Sequence, residues 1–133
     1  MLAVDESLRL KPYRCTAGKL TIGYGHNLDD LGISRRIADL ILEEDTEVAK
    51  DACEKVFGQQ FAEWSENRQL GWLNLAFNLG QSRLLQFRNT IKAAKEENWK
   101  EVERGLRNSL WFKQVKSRAE RVIRMICNED FPY

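Results

Sequence analysis

One stretch of the chain alternates at period two: Leu20, Ile22 and Tyr24 against Thr21, Gly23 and Gly25. Such alternation sends successive side chains to opposite faces of a strand, and Thr16-Ala17-Gly18-Lys19 just before it reads as a turn. Every other periodic segment carries the helical spacing. The fold class that follows is α+β, mainly α, with one small hairpin set against helices.

Leu2, Val4, Leu8 and Leu10 among charged residues predict a short opening helix that stops by Lys11, because Pro12 drives the residue before it out of the helical region. Asp29, Asp30 and Gly32 close the hairpin. Ser34 is then a suitable N-cap for a long helix with an apolar stripe of Ile37, Ile41, Val48, Ala52 and Val56. Asp45 falls within that stripe, and a carboxylate on a buried helix face needs a partner to offset its desolvation. After a break at Gly58 to Gln60, Ser65 can cap a helix carrying Leu70, Leu73 and Phe77 and ending at Gly80. Periodicity reads Phe77 as core. Further helices are predicted over 89–97, 99–107 and 116–128. Trp64, Trp72, Trp99 and Trp111 all lie late in the chain, which places the bulk of the core there. The 133 residues form one domain: 1–33 the hairpin lobe with the first helix, 34–57 a connecting helix and 58–133 a helical lobe.

Composition removes whole reaction classes. With His26 as the single histidine, a Ser-His-Asp hydrolase, a Cys-His protease or a multi-histidine zinc site would have to be built around one ring, and none of the spacings is present; no metal or cofactor is expected. Cys15, Cys53 and Cys127 are odd in number and far apart, so at least one thiol is free and a disulfide framework is disfavoured. No run reaches the roughly 18 apolar residues of a membrane span, and Asp5, Glu6 and Arg9 stand where a signal peptide is apolar, so neither insertion nor export is expected. Through Glu66 there are 8 basic and 13 acidic residues, and after it 13 basic and 7 acidic. This division predicts an acidic hairpin half and a basic helical half. The basic run of Arg104, Arg107, Lys113, Lys116, Arg118, Arg121 and Arg124 is interrupted by Glu101, Glu103 and Glu120, which fits a solvated helical face better than a nucleic-acid interface.

Near the N-terminus a carboxylate, Glu6, stands at a helix end, Cys15 precedes the hairpin turn and Thr21 lies on the strand. Hydrolysing a glycosidic bond requires one group to protonate the leaving oxygen and another to hold or deprotonate water on the opposite face. Glu6 suits the first task, and Cys15 with Thr21 the second. Taken singly, a glutamate in a first helix is far more often a solvated surface residue, and a threonine in a strand is usually there for its backbone preference.

The wording around these residues is more specific. Asp5-Glu6-Ser7 through Pro12-Tyr13-Arg14-Cys15-Thr16-Ala17-Gly18, followed by Leu20-Thr21-Ile22-Gly23-Tyr24-Gly25-His26, resembles the phage-type lysozymes, or endolysins, of glycoside hydrolase family 24, whose motif is Glu, eight residues, Asp or Cys, five residues, Thr. Ser7 to Arg14 and Thr16 to Leu20 supply those intervals. The resemblance continues through Leu73-Asn74-Leu75-Ala76-Phe77-Asn78-Leu79-Gly80, Phe87-Arg88-Asn89-Thr90 and Ser117-Arg118-Ala119-Glu120-Arg121-Val122-Ile123. It implies a lysozyme-like fold and a monomeric muramidase that cleaves peptidoglycan between N-acetylmuramic acid and N-acetylglucosamine and so lyses bacteria. Glu6 would be the general acid, in a cleft between the lobes, with Asn27, Phe77 and Thr90 at saccharide-contacting positions. His26 and Asp45 would pair as ions, and Arg118 would orient the glutamate. The match is poorer at Gly105, where relatives present a polar contact. The resemblance also implies synthesis in the host cytoplasm and action in the periplasm after release through a separate membrane-permeabilising protein.

Cys15 stands where many relatives have aspartate. It acts either as a thiolate, attacking carbon or activating water, or as a neutral residue that places water beside Thr21. The charge on Glu6 would raise the thiol's pKa and favour placement. Two rival functions share the substrate: a lytic transglycosylase, which needs only the acid and leaves 1,6-anhydro ends, and a non-catalytic wall-binding module in which Glu6 is inert.

Overall fold

A computed structural model describes residues 1–133. The chain divides into two compact units, Met1–Leu42 and Glu43–Tyr133. The boundary falls inside a continuous 23-residue helix.

In the first unit, α1 (Leu2–Asp5) is followed by β1 (Arg9–Arg14), β2 (Leu20–Gly23), β3 (His26–Asn27) and the single-turn helix α2 (Leu28–Leu31). The sheet is antiparallel in the order β1-β2-β3. The opening helix is therefore shorter than its apolar spacing predicts, and Arg9 to Lys11 belong to a strand. The strand accommodates Pro12. That residue has no N–H for a ladder, and it lies on an edge strand in the irregular stretch between Arg9, paired with Gly23, and Tyr13, paired with Thr21. The unit has almost no apolar core: Thr21 is the one buried side chain among residues 1–42. Polar contacts hold the hairpin instead. Asp29 accepts hydrogen bonds from the Leu20 amide at 2.7 Å and the Arg14 guanidinium at 3.3 Å, while Asn27 accepts from the Asp30 amide at 3.0 Å and so caps α2.

Helix α3 (Arg35–Phe57) starts where expected, with the Ser34 hydroxyl accepting from the Ile37 amide at 3.2 Å. Its buried face is Ala49, Ala52, Cys53 and Phe57. Ile37, Ile41 and Val48 of the predicted stripe are exposed, and so is Asp45. The expected buried carboxylate is thus corrected: Asp45 meets solvent and has no desolvation to offset.

The second unit adds α4 (Gln59–Glu63), α5 (Glu66–Leu79), α6 (Gln81–Leu84), α7 (Arg88–Lys95), α8 (Trp99–Arg107), α9 (Leu110–Val115) and α10 (Ser117–Asn128). Ser65 caps α5 through the Arg68 amide at 3.3 Å, and Gly80 ends it at φ 77°. The short helices α2, α4, α6 and α9 are too brief for their periodicity to stand out in the sequence. Trp72 and Trp111 are buried, and Trp72 packs against Phe57 and Trp64 with centroids 4.8 and 6.3 Å apart. The tryptophans do mark the core. Arg68 lays its guanidinium 3.8 Å over Trp99 while donating to the last carbonyls of α10, Ile126 and Cys127. All three cysteines are free.

The charge division by halves does not survive the structure. Met1–Leu42 holds six basic and five acidic residues, and Glu43–Tyr133 holds fifteen of each. The acidic residues from Glu43 to Glu66 sit on the same unit as the basic helices.

Candidate active site

The residues nominated from sequence fall into two groups, one on each unit. On the hairpin, the Cys15 amide donates to the Lys19 carbonyl at 3.0 Å and the Gly18 amide to the Cys15 carbonyl at 2.8 Å, closing a tight turn. Gly18 supplies the φ of 78° that this turn demands. Thr21 is 3% exposed, and its hydroxyl donates to the Lys19 carbonyl at 2.8 Å.

This turn holds the Cys15 thiol below its ordinary pKa, chiefly through the backbone amide of Lys19 and then that of Ala17; the Thr21 hydroxyl adds in the same direction, and burial opposes them. The expectation that Glu6 raises the thiol is overturned, because amides converging on the sulfur set the direction. Thr21 has one hydroxyl hydrogen, so it serves the Lys19 carbonyl or the sulfur, one at a time. The structure therefore brings Cys15 and Thr21 together around Lys19.

Glu6 ends α1 in an extended conformation, φ −104° and ψ 127°, and its side chain is exposed. Its carboxyl group lies over Gly25. A Cβ at that glycine would stand 3.1 Å from Glu6 Oε2 and 3.5 Å from Cδ. Gly25 is a site residue that sequence reasoning passed over, since only its φ of 77° and this close approach reveal it. His26 pairs with Ile22 across the sheet, and its Nε2 is hydrogen bonded to the Gly32 carbonyl at 2.5 Å. Asn27 has its side chain engaged in capping α2, both accepting from the Asp30 amide and donating to the Asp30 carboxylate at 2.9 Å.

On the second unit, Phe77 is 39% exposed rather than core. The ring and Asp45 line one groove of about 240 Å³, together with Val48, Ala76, Gly80 and Gln81. Asn74, Phe77 and Asn78 form one face of α5, at i, i+3 and i+4. Asn74 accepts from Arg118 Nε at 2.9 Å, and Asn78 accepts from the Trp111 indole N–H at 2.7 Å. Both asparagines tie α5 to the helices that follow it, and sequence reasoning did not single them out. Thr90 is buried, and its hydroxyl packs against Gly105 so closely that any side chain at 105 would collide with it. The polar contact lacking at Gly105 is thus lacking for a steric reason, and the Thr90 side chain is used in packing.

No group of three or more His, Cys, Asp or Glu side chains is arranged to hold a metal ion. The hairpin unit presents one exposed carboxylate and, at the β1–β2 turn and the strand after it, a hydrogen-bonded thiol and hydroxyl. That donor set is suited to proton transfer and water positioning.

A "Probable T4-type lysozyme 2" of Dictyostelium discoideum is 28% identical over 92% of this chain and 89% of its own length. That alignment spans 151 positions, so the relative carries segments that this 133-residue chain lacks. "Peptidoglycan hydrolase gp36" of Pseudomonas phage phiKMV is 33% identical over 98% of this chain and 15% of its own. The "Pre-baseplate central spike protein Gp5" of Enterobacteria phage T4 is 28% identical over 95% of this chain and 27% of its own. Residues 3–124, which include every nominated site residue, match the phage lysozyme family. The chain belongs to that family.

Proposed function

We propose that this chain is a peptidoglycan hydrolase that cleaves the β-1,4 bond between N-acetylmuramic acid and N-acetylglucosamine, with bacterial lysis as the result. Family membership and a relative named as a peptidoglycan hydrolase support the substrate. The observation that carries the chemistry is the exposed Glu6 carboxyl group seated over Gly25, in the same compact unit as the Cys15 and Thr21 pair. In this reading Glu6 protonates the leaving glycosidic oxygen, a water held by Cys15 and Thr21 adds to the anomeric carbon and releases a proton to solvent, and Glu6 takes a proton back from solvent. The exposed Phe77 ring offers an apolar face to a sugar ring, and Asp45 lines the same groove. No metal or cofactor takes part. No helix is long and apolar enough to cross a membrane. Synthesis in the host cytoplasm, and passage to the wall through a separate membrane-permeabilising protein, belong to the same proposal.

Fragments of digested peptidoglycan test the bond and the reaction together. After borohydride reduction, mass analysis is expected to find muramitol at the new ends. Glucosaminitol ends would move the cleavage to the other glycosidic bond, 1,6-anhydro ends would make the protein a lytic transglycosylase, and wall binding without fragments would make it a binding module.

A further inference from the structure

Gly25 lies in the tight turn Tyr24-Gly25 between Gly23, which ends β2 and pairs with Arg9, and His26 of β3. Both glycines have positive φ, 71° at Gly23 and 77° at Gly25. A side chain at either position is strained by the backbone alone, at a cost on the order of 1 kcal/mol. The two differ in what surrounds them. A Cβ at Gly23 meets nothing within 4 Å, whereas one at Gly25 meets all three terminal atoms of the Glu6 carboxyl group, with Oε2 at 3.1 Å, Cδ at 3.5 Å and Oε1 at 3.9 Å. Turn geometry therefore accounts for Gly23 in full and for Gly25 only in part.

We propose that Gly25 is a positioning residue for Glu6: the missing side chain at position 25 leaves the space that the carboxyl group occupies, and so sets where its acidic oxygen is held. This inference rests on the assignment of Glu6 as the general acid. At 3.1 Å a methyl group forces the carboxyl to give way by a few tenths of an ångström, because the opposing atoms are carbon and oxygen at less than van der Waals separation. Glu6 is a short exposed side chain at a helix end, so it yields before the paired strands do. Proton transfer depends steeply on heavy-atom distance and direction, and misplacement by about 1 Å can cost on the order of a hundredfold in rate. A displacement of a fraction of that distance is expected to lower kcat about tenfold. Saccharide binding by other residues is untouched, so KM stays where it is.

Gly23→Ala, at the strand end that enters the same turn, is the control, with the same class of backbone strain but open space. Gly25→Ala and Gly23→Ala are compared with wild type for melting temperature and for kcat and apparent KM on soluble dye-labelled peptidoglycan, at a temperature where all are folded. The expected result is a kcat loss of about tenfold in Gly25→Ala with unchanged KM, and a loss under twofold in Gly23→Ala. Equal kcat in the two variants overturns the inference, as does a change confined to KM. Stability gives a readout free of catalysis. If the carboxyl is what the methyl meets, Gly25→Ala destabilises more than Gly23→Ala in the Glu6 protein, and the two melt together in a Glu6→Ala background. A difference that persists without the carboxyl overturns the proposal. If Gly25→Ala does not fold alone, folding of Gly25→Ala/Glu6→Ala supports the contact, and failure of both overturns it. Glu6→Gln measured alongside separates the two levels: full activity there removes the acid assignment itself, whereas loss there with equal glycine variants removes only the role of Gly25.

Discussion

The three thiols of this chain differ in what surrounds them. Burial pushes Cys53 and Cys127 up to about 12, helped by the charges of Glu54 and Glu103 respectively. The turn amides and the Thr21 hydroxyl push Cys15 down. The thiolate is the reactive form, so iodoacetamide at neutral pH is expected to modify Cys15 faster than the other two by an order of magnitude or more, read by peptide mass. The pH dependence of its rate should have a midpoint below that of an ordinary thiol. Substrate or a soluble muropeptide should slow the reaction. Folded Cys15→Ser is expected to keep measurable lysis, because a hydroxyl still holds the water. Complete loss would give the thiolate an obligatory role as base or nucleophile. The spacing of Glu6, Cys15 and Thr21 was legible in the sequence, but the direction of the thiol's pKa was not. It depends on which amides a five-residue turn aims at the sulfur. Asp45, and Phe77 as periodicity alone reads it, were misplaced for one reason: an apolar stripe on a helix reports an average face, and both residues are exposed.

At the scale of elements, α5 and α10 approach closely at Gly71. A Cβ at Gly71 would stand 2.8 Å from Ile126 Cγ1, 2.9 Å from Met125 Cβ and 3.0 Å from the Ile126 backbone nitrogen. Alanine there gains up to about 1 kcal/mol in helix propensity. It loses more by overpacking, because one opposing atom is backbone and cannot rotate away. Gly71→Ala is expected to destabilise the protein by about 1–3 kcal/mol in urea unfolding with no change in m value. A neutral or stabilising outcome would show that the two helices separate without cost. The sequence revealed the elements that carry their own signals: Ser34 and Ser65 as caps, Gly80 as a stop, and the spans of α8 and α10. It hid β1, where Pro12 argues against both a helix and a regular ladder. It also hid the single-turn helices, whose existence depends on tertiary packing.

For the whole molecule, the excess of acidic residues through Glu66 and of basic residues after it had suggested two oppositely charged lobes. Each compact unit is instead close to neutral, and the acidic second half of α3 shares a unit with the basic helices from Arg68 onward. Many of those cations are already used: Arg68 pairs with Glu129, Arg104 with Glu101, Arg107 with Glu103 and Glu120, and Arg124 with Asp130. Attraction to an anionic wall is therefore a property of patches rather than of a lobe, and it cannot substitute for the chemistry of the hairpin. The central claim is that Glu6 supplies the proton that breaks the glycosidic bond. Replacing the acid by its amide keeps shape and hydrogen-bonding capacity while removing the proton, and general acid catalysis is worth roughly a hundredfold to ten-thousandfold. The direct measurement is turbidity loss of outer-membrane-stripped Gram-negative cells with wild type and Glu6→Gln, both shown to be folded by their melting curves. The account expects wild type to clear the suspension and Glu6→Gln to fall at least about a hundredfold in rate; equal clearing by the two proteins would contradict it.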